Sequence, residues 1–416
     1  MKRYFCFLFS CFMLIILKSQ PLEKVSPEAV GMNAEQFLFA DEAIHSAIQE
    51  GTIPGAVLAV VRQGKMAYLK AYGNKRVIPR KEIMTVNTVF DLASCSKPVS
   101  TAICTMKLIE QGKIGLLDPI KRYIPEFQNW KEGSRDEVTI RIEDLLTHSS
   151  GLPPYAEADE LIAHYGSADS TTLINYIATC KRDFRPKTQF QYSCLNFIVL
   201  QRIIETVSGE SLRTFAQKHI FSVLGMNYTD YLPIRQDQKG DWRNTIPAHW
   251  AKQGEAWNSI VAPTEVQKNG QVLCGQVHDP LARIMNKGVS GNAGLFSNAE
   301  DLAVLCAALQ NGGEWNGKRI LSVRTVQTMI GIPRTTKELG RTIGWDSFSD
   351  YASCKGSLLS EHAYCHTGYT GTSIVIDPDN DISIILLTNR VHPKDEHSVN
   401  RLRSIVSNVV AAAIMK

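Results

Sequence analysis

The chain has 416 residues, of which 44% are hydrophobic and 21% are charged, a composition typical of soluble globular proteins. Its formal net charge of +4 arises from 45 basic and 41 acidic residues that are spread along the chain and form no basic stripe. The charge pattern therefore argues against a nucleic-acid partner. The length exceeds that of most single domains and predicts either two domains or one large two-lobed unit.

The N-terminus differs in character from the rest of the chain. Lys2 and Arg3 precede an apolar run over residues 4–17, which is the pattern of a secretory signal. We predict a signal peptide over residues 1–19 and an exported protein, periplasmic or secreted. Two weaker alternatives stay open. The first is a membrane anchor, which would need ~20 apolar residues, more than this run contains. The second is a lipoprotein cleavage site before Cys11, to which Phe9 is a poor match.

The first elements predicted after the signal are a helix and a strand hairpin. Apolar residues recur at helical spacing over residues 26–48. Two runs rich in β-branched and aromatic residues follow, over residues 56–61 and 66–72, with a short glycine-containing turn between them. We predict that these two runs are neighbouring strands of one sheet.

The centre of the chain is predicted to be helical, and its end resembles its beginning. Apolar periodicity indicates helices over residues 99–111, 171–179, 195–207 and 299–309. A second hairpin is predicted over residues 372–376 and 382–388, followed by an amphipathic helix over residues 396–415.

Strands at both ends with helices between them predict an α+β fold, in which an antiparallel sheet flanked by helices carries an inserted all-helical lobe. We assign residues 20–416 to one domain. Its sheet lobe comprises residues 20–93 and 312–416, and its helical lobe comprises residues 94–311.

The segment from Ser94 to Lys97 is the first candidate for catalysis, because it has the form S-x-x-K at the start of a predicted helix. Residues three apart share a helix face, so the Lys97 ammonium can approach the Ser94 hydroxyl. A neighbouring base or cation makes a serine hydroxyl nucleophilic at neutral pH. Alone, the pattern is better explained by a serine that caps a helix, so the assignment depends on companion motifs.

Tyr192 is the first companion and lies just before a predicted helix. A phenol beside an ammonium can serve as a general base, because the positive charge favours the phenolate. The competing interpretation is a buried tyrosine that packs between the lobes.

The second companion is His366-Thr367-Gly368-Tyr369, which opens the second hairpin. Glycine lets a ligand approach a strand edge closely. We predict that the backbone NH after Gly368 pairs with that of Ser94 to bind an oxyanion. His366 and Thr367 are predicted to bind a substrate carboxylate or acyl group, although a lone histidine is more often structural.

The order and spacing of these motifs resemble the serine β-lactamase and penicillin-binding protein superfamily, in particular its class C-like, DD-peptidase and esterase branch. The resemblance runs from about residue 26 to the C-terminus and includes residues 53–56, 145–153, 224–226, 292–297 and 300–302. It implies an active site between two lobes and acylation followed by deacylation at Ser94. It also implies that Lys97 activates Ser94, that Tyr192 moves protons and that no cofactor is needed.

The sequence departs from the family pattern at two positions. Penicillin-binding members commonly have Tyr-x-Asn, whereas this chain has Cys194 in place of the asparagine. A thiol is a weaker hydrogen-bonding group than an amide, and we expect Asn196 to replace that amide in part. His366 stands where many lactamases have lysine, which is similar to some DD-peptidases and related esterases.

The sequence also supports predictions for two residue pairs and one single residue outside these motifs. His278 and Asp279 are predicted to line the cleft or, equally, to lie in a solvated loop, and the setting of His148 indicates a structural role. Cys354 and Cys365 are candidates for a disulfide across a loop.

These observations predict an exported serine hydrolase that forms an acyl-enzyme on Ser94. The expected substrates, in order of preference, are a peptidoglycan-like peptide, a small ester and a β-lactam. The alternative is a catalytically weak protein that binds penicillin or peptidoglycan. A zinc-dependent hydrolase is excluded because the sequence lacks the ligand spacing, and neither a metal nor a protein partner is implied.

Overall fold

The computed structural model describes residues 21–133, 136–236, 242–250 and 259–415. The predicted signal peptide, residues 1–19, lies outside the described residues. Within the described part of the chain, no helix has the length and apolar character needed to cross a membrane.

The strands, in chain order, are β1 (Gly55–Arg62), β2 (Lys65–Arg76), β3 (Glu82–Ile83), β4 (Phe90–Asp91), β5 (Trp130–Glu132), β6 (Asp136–Val138), β7 (Asp230–Tyr231), β8 (Ile234–Gln236), β9 (Trp242–Asn244), β10 (Leu295–Ser297), β11 (Glu314–Trp315), β12 (Lys318–Arg319), β13 (Tyr364–Thr367), β14 (Ser373–Asp377) and β15 (Ile382–Thr388). The α-helices are α1 (Phe37–Gln49), α2 (Ile103–Glu110), α3 (Ile142–Leu146), α4 (Ala158–Tyr165), α5 (Ser170–Thr179), α6 (Cys194–Ser208), α7 (Leu212–Ala216), α8 (Ser222–Leu224), α9 (Ala299–Gln310), α10 (Val323–Ile330) and α11 (Asn400–Ala412). Shorter 3-10 or π-helical segments are Pro27–Val30, Ala34–Gln36, Ala93–Cys95, Lys97–Ala102, Ile120–Arg122, Gln217–Phe221, Ala248–Trp250, Leu281–Met285, Arg334–Leu339 and Asp350–Lys355.

The main sheet has six antiparallel strands in the order β13-β14-β15-β1-β2-β3, so strands from both ends of the chain form one sheet. Both predicted hairpins are confirmed, as β1–β2 and β14–β15. The α+β class is confirmed as well. Strand β1 joins the two halves, because it pairs with β2 on one side and with β15 on the other.

Strand β1 is buried along its whole length, and its alternate residues belong to two different cores. Val57 and Ala59 pack into the core shared with the helical lobe. Leu58 and Val60 pack into the core formed with α1 and α11. A strand covered on both faces has a continuous apolar sequence, because side chains alternate between the faces.

The boundary of the helical lobe differs from the prediction at α9. This helix lies within the range predicted for the helical lobe, but it packs against β1 and β15 of the sheet. Its side chains are buried almost all round, as expected of a helix held between two layers. The region between α2 and α9 also contains short strands, such as β7 and β10, whose two or three residues give no periodic signal.

The described cysteines are all free thiols, including the pair predicted as a possible bridge. Cys354 and Cys365 are both buried. A hydrogen bond with the Cys354 thiol, together with burial, raises the pKa of Cys365 well above its usual range. The Cys365 thiol is therefore neutral and lies beside Cys354 in this structure.

Candidate active site

A cavity of about 680 Å³ opens between the Ser94 segment, the end of β13 and the start of α11. Most of the residues predicted for the site line this cavity, namely Ser94, Tyr192, His366, Thr367, Gly368 and Tyr369. They come from segments that are far apart in the sequence, and the fold brings them to one wall.

Ser94 lies in the short helical turn Ala93–Cys95, which follows β4 directly. The turn is sharp, since Ala93 has a positive φ of 45°, a conformation that costs of order 1–3 kcal/mol for a non-glycine residue. Two hydrogen bonds hold it in place. Asp91 Oδ1 accepts from the Ala93 NH at 2.9 Å, and Thr372 Oγ1 donates to Leu92 O at 2.9 Å.

Lys97 is fully buried directly behind Ser94. Its Nζ donates to Ser94 Oγ at 3.0 Å and to Asn292 O at 2.9 Å, and it lies 3.5 Å from Cys194 Sγ. Burial by itself would lower the pKa of Lys97, but Cys194 and Tyr192 raise it, and the net direction is upward. Lys97 is therefore an ammonium at neutral pH and points at the Ser94 oxygen.

Tyr192 covers the other side of this ammonium, with its ring centroid 4.9 Å from Lys97 Nζ. The ring lies between His148, at 4.5 Å, and Tyr351, at 5.2 Å. Its hydroxyl is buried close to Lys97 and Ser94, but no hydrogen bond of standard geometry joins it to a described residue. Burial raises the pKa of Tyr192, and Lys97 offsets this only in part, so the resting side chain is a phenol. The sequence-based prediction that the ammonium favours the phenolate is wrong for the resting site, because the cost of desolvation is larger.

The expectation for Asn196 is not met. Its amide accepts from Ser150 Oγ at 2.6 Å and lies 3.2 Å from His148 Nδ1, so it faces away from the cavity. The reason is helical geometry, because two residues along α6 turn a side chain by about 200°. Cys194, the first residue of α6, instead faces Lys97.

The β13 wall contributes His366, whose Nδ1 donates to Thr367 O at 2.9 Å and whose buried Nε2 has no partner among the described residues. Burial, with the nearby Arg341 and Lys97, lowers the pKa of His366 well below its ordinary value. His366 is therefore neutral. It presents a hydrogen-bonding nitrogen to the site and no positive charge.

Gly368 lies where β13 meets the Ser94 segment. A Cβ atom here would come within 2.4 Å of Leu92 O and 2.1 Å of Thr372 Oγ1, so the close approach requires glycine. The Gly368 NH donates to Thr372 O at 2.7 Å, whereas the Tyr369 NH makes no hydrogen bond with another described residue. Tyr369, not Gly368, therefore has a backbone donor available for an oxyanion.

Sequence analysis missed several residues that line the cavity, in particular Arg341, Tyr351, Asn400 and Arg403. Arg403 is buried, and its Nη2 donates to the carbonyls of Gly368, at 2.7 Å, and Thr372, at 2.9 Å. The sequence did contain a signal for the role of Arg403, because a charged residue lies there next to the apolar face of the predicted closing helix. Arg341 and Tyr351 lie outside any periodic segment, so no such signal marked them.

His278 and Asp279 lie just outside the cavity walls. The His278 ring stacks on Tyr369, with centroids 5.7 Å apart, and its Nε2 lies 3.3 Å from Glu265 Oε2. His148 is fully buried and accepts a hydrogen bond from the Ser193 NH at 3.1 Å. His148 is therefore packed inside the protein, whereas His278 is partly buried and lies against Tyr369, which lines the cavity.

The sequence pattern of the beta-lactamase family matches residues 40–407, which include every residue of this site. The chain belongs to the beta-lactamase family. Within that family, and with a serine, a lysine and a tyrosine at one cavity, it is a serine hydrolase.

Two relatives of this beta-lactamase family member are each 30% identical to it. One is the "N-acetylmuramyl-L-alanine amidase" of Bacillus subtilis, aligned over 380 residues, which are 88% of this chain and 84% of that protein. The other is the "Putative D-alanyl-D-alanine carboxypeptidase" of Escherichia coli, aligned over 382 residues, 89% of this chain and 86% of that one.

A solved structure with a similar fold is that of "EstCE1, a hydrolase with promiscuous acyltransferase activity". The TM-score is 0.67 and the sequence identity 23%, with 90% of this chain and 98% of that chain covered. At this identity the likeness concerns the fold alone, and it agrees with the two-lobed architecture described above.

Proposed function

We propose that this hydrolase cleaves an acyl bond of a peptidoglycan-like peptide through an acyl-enzyme on Ser94, with the activity of a DD-carboxypeptidase. The observation that carries the proposal is the 3.0 Å contact between Lys97 Nζ and Ser94 Oγ at the wall of an open cavity. The name of the Escherichia coli relative supports the choice of substrate. No cofactor or protein partner is needed for this chemistry.

Acylation requires that the Ser94 proton leave as its oxygen attacks the carbonyl carbon. Lys97 and Tyr192 are both protonated in the resting site, so the reactive form is one in which this pair has lost one proton and accepts that of Ser94. The backbone NH groups of Ser94 and Tyr369 bind the oxyanion. As the bond to the leaving amine or alcohol breaks, the pair returns the proton to the leaving group.

Deacylation repeats these steps with water in place of the leaving group. Water attacks the ester carbonyl, its proton passes to Tyr192 and Lys97, and the bond to Ser94 Oγ breaks as that oxygen regains a proton. The neutral His366 and Thr367 line the cavity on the β13 side and are proposed to hold the acyl part or the carboxylate of the substrate.

A second candidate is an amidase that acts at the other end of the same peptide. The observation that favours it is the name of the Bacillus subtilis relative, which is as similar to this chain as the carboxypeptidase relative. Both reactions use the same acyl-enzyme chemistry and differ in which carbonyl lies against Ser94. Small esters and β-lactams remain further substrates of the proposed site.

One experiment distinguishes these activities. The purified protein and its Ser94→Ala variant are incubated with an N-acetylmuramyl pentapeptide that ends in D-Ala-D-Ala, and the products are weighed by mass spectrometry. Loss of one alanine supports the carboxypeptidase, and release of the intact peptide from the sugar supports the amidase. If Ser94→Ala forms the products at the wild-type rate, the proposed mechanism is wrong.

The alternative to turnover is a binding protein that is acylated but does not deacylate. Intact-mass spectrometry after incubation with a fluorescent penicillin separates the two, because a binding protein would keep a Ser94-dependent adduct for hours. Rapid loss of the adduct, or turnover of p-nitrophenyl acetate, supports an enzyme.

We also propose that the chain is exported, since residues 2–17 have the composition of a secretory signal. Cell fractionation and N-terminal sequencing of the mature protein test this. A mature N-terminus near residue 20 in the periplasm or medium supports export, and an intact N-terminus in the membrane fraction supports the anchored alternative.

A further inference from the structure

Asp279 lies behind the catalytic lysine and has no part in the proposed steps. Its Oδ1 accepts from the Ala282 NH at 2.8 Å, at the start of the helical segment Leu281–Met285. The same oxygen lies 3.3 Å from Asn292 Nδ2, which donates to it. Asp279 is partly buried, whereas Asn292 is fully buried.

Asn292 connects this carboxylate to the active site. Its backbone carbonyl accepts from Lys97 Nζ at 2.9 Å, and its side-chain Oδ1 accepts from Ser290 Oγ at 2.6 Å. The side chain is thus held from both ends, by Ser290 and by Asp279. Since the carbonyl belongs to the same residue, fixing the side chain also fixes the acceptor that orients the ammonium.

The buried ammonium has no carboxylate in direct contact among the described residues; its neighbours are Ser94, Cys194, Asn292 and the Tyr192 ring. Asp279 is the carboxylate whose charge acts on it, since this charge contributes to the upward shift in the pKa of Lys97. Burial raises the pKa of Tyr155 and of Cys194, and the Asp279 charge adds to each upward shift.

Other titratable groups face the same two residues. Around Asp279 these are Asp91, Tyr155, Cys194 and Arg283. Around Lys97 they are Cys194 and Tyr192, with His148 and His366 held neutral beyond them. Arg283 is the cation among those around Asp279, and it donates through Nη1 to the backbone carbonyls of Val277 and His278 at 2.6 Å. No hydrogen bond joins the Arg283 guanidinium to the Asp279 carboxylate in the described part of the chain, and the charge of Asp279 acts on both Arg283 and Lys97.

We infer that Asp279 is a positioning residue for the hydrolysis proposed above, because it holds Asn292 against the Lys97 ammonium and places a negative charge behind it. The inference rests on the proposed roles of Ser94 and Lys97. It assigns a role to Asp279, for which the sequence alone allows either a place in the cleft wall or one in a solvated loop. Asp279 acts through Asn292 and contacts no substrate.

Two substitutions separate the effect of the Asp279 charge from that of its hydrogen bond with Asn292. Asp279→Asn keeps an oxygen that can accept from Ala282 and Asn292, and removes only the charge. Asp279→Ala removes both. Glu265→Gln is the matched control, since it neutralises a nearby carboxylate that contacts His278 and not Asn292.

The measurement is the pH dependence of kcat/KM for p-nitrophenyl acetate, with the Ser94→Ala rate subtracted. We expect the rising limb of the Asp279→Asn profile to move to lower pH by roughly half a unit, about threefold in rate on the limb, with a plateau close to that of wild type. Asp279→Ala should show the same shift and a plateau lower by roughly tenfold or more. Glu265→Gln should leave the limb in place.

The inference is wrong if the limb of Asp279→Asn coincides with that of wild type or moves to higher pH. A fall in the plateau alone would also contradict it, because a structural role accounts for that result. A failure of the proposed function looks different, since Ser94→Ala would then be as active as wild type and no profile could be assigned to Lys97.

Discussion

Cys194 Sγ lies 3.5 Å from Lys97 Nζ, so a thiol occupies the position next to the buried ammonium where the resemblance to penicillin-binding proteins leads us to expect an asparagine. Burial raises the pKa of the Cys194 thiol, and Lys97 offsets this in part. The pair is therefore a neutral thiol beside a cation. A thiol is a weak acceptor, and it cannot offer a substrate the strong donor and acceptor of an asparagine.

The weak hydrogen-bonding capacity of the Cys194 thiol predicts that a stronger group at this position increases the rate of acylation by some substrates. We expect Cys194→Asn to raise the rate of acylation by a penicillin with an amide side chain by roughly tenfold, the value of one added hydrogen bond. Acylation by p-nitrophenyl acetate, which has no such amide, should change little. Cys194→Ala, which offers no hydrogen-bonding group, is the matched control and should raise neither rate. An equal gain with both substrates would mean that Lys97, not substrate binding, had changed.

Ser94 is the proposed nucleophile, and its removal is the most direct test. We expect Ser94→Ala to lower turnover of any accepted ester or peptide by a factor of roughly 10³ or more. The fold should persist, because the substitution removes only a hydroxyl, which accepts a hydrogen bond from Lys97. Ester turnover and thermal unfolding are measured on the same preparation. Full activity in a folded variant would contradict the assignment.

The raised pKa values of Lys97 and Tyr192 predict that activity increases with pH. Because the reactive form has lost one proton from this pair, kcat/KM should rise from neutral into alkaline pH with an apparent pKa that belongs to the pair. Tyr192→Phe should lower kcat/KM by roughly 10²-fold or more and alter this limb. Tyr351→Phe, which keeps the ring stacked on Tyr192, is the control. A profile that is flat from neutral to alkaline pH would argue against the pair.

His148 predicts a loss of stability in acid. Burial lowers its pKa well below 6.5, so the unfolded chain binds a proton that the folded one does not. Stability is therefore full above pH 6.5 and falls as the pH drops below it, by up to about 1.4 kcal/mol per pH unit. Urea denaturation at several pH values measures the slope, which His148→Asn should reduce.

His362 provides the control for this slope. It is exposed, and its hydrogen bond to Asp379 raises its pKa, so its contribution has the opposite sign. His362→Gln should therefore leave the acid-induced loss in place. An unchanged slope in His148→Asn would show that other groups, such as His366, account for the loss.

Gly368 predicts a steric effect on both stability and activity. A Cβ would meet the Leu92 carbonyl at 2.4 Å, so Gly368→Ala should push the β13 wall away from Ser94 and lower activity strongly. Gly112→Ala is the matched control. Gly112 has a positive φ of 70°, but a Cβ there would meet no described atom within 4 Å, so the substitution should cost only about 1–2 kcal/mol. Equal effects of the two substitutions would show that the contact with Leu92 is unimportant.

Much of the fold followed from local patterns. The two hairpins were predicted because β-rich runs separated by turn residues depend on neighbours in the sequence, and β1–β2 and β14–β15 confirm them. The position at which a helix begins or ends depends less on local sequence. Residues 26–48 were predicted as one helix, yet α1 begins at Phe37, and Gly31, with φ 69°, ends a separate short turn before it.

For the site, the sequence by itself determined the approach of Lys97 to Ser94, because three residues along one helical turn set that distance. It also identified the β13 wall through His366 and Gly368. Only the tertiary structure decided which groups surround the ammonium. Cys194 and Asn292 reach Lys97 across 97 and 195 residues of chain, and Asn196 turns away from it. These contacts depend on how α6 and the segment before β10 pack against the Ser94 helix, which no local pattern specifies.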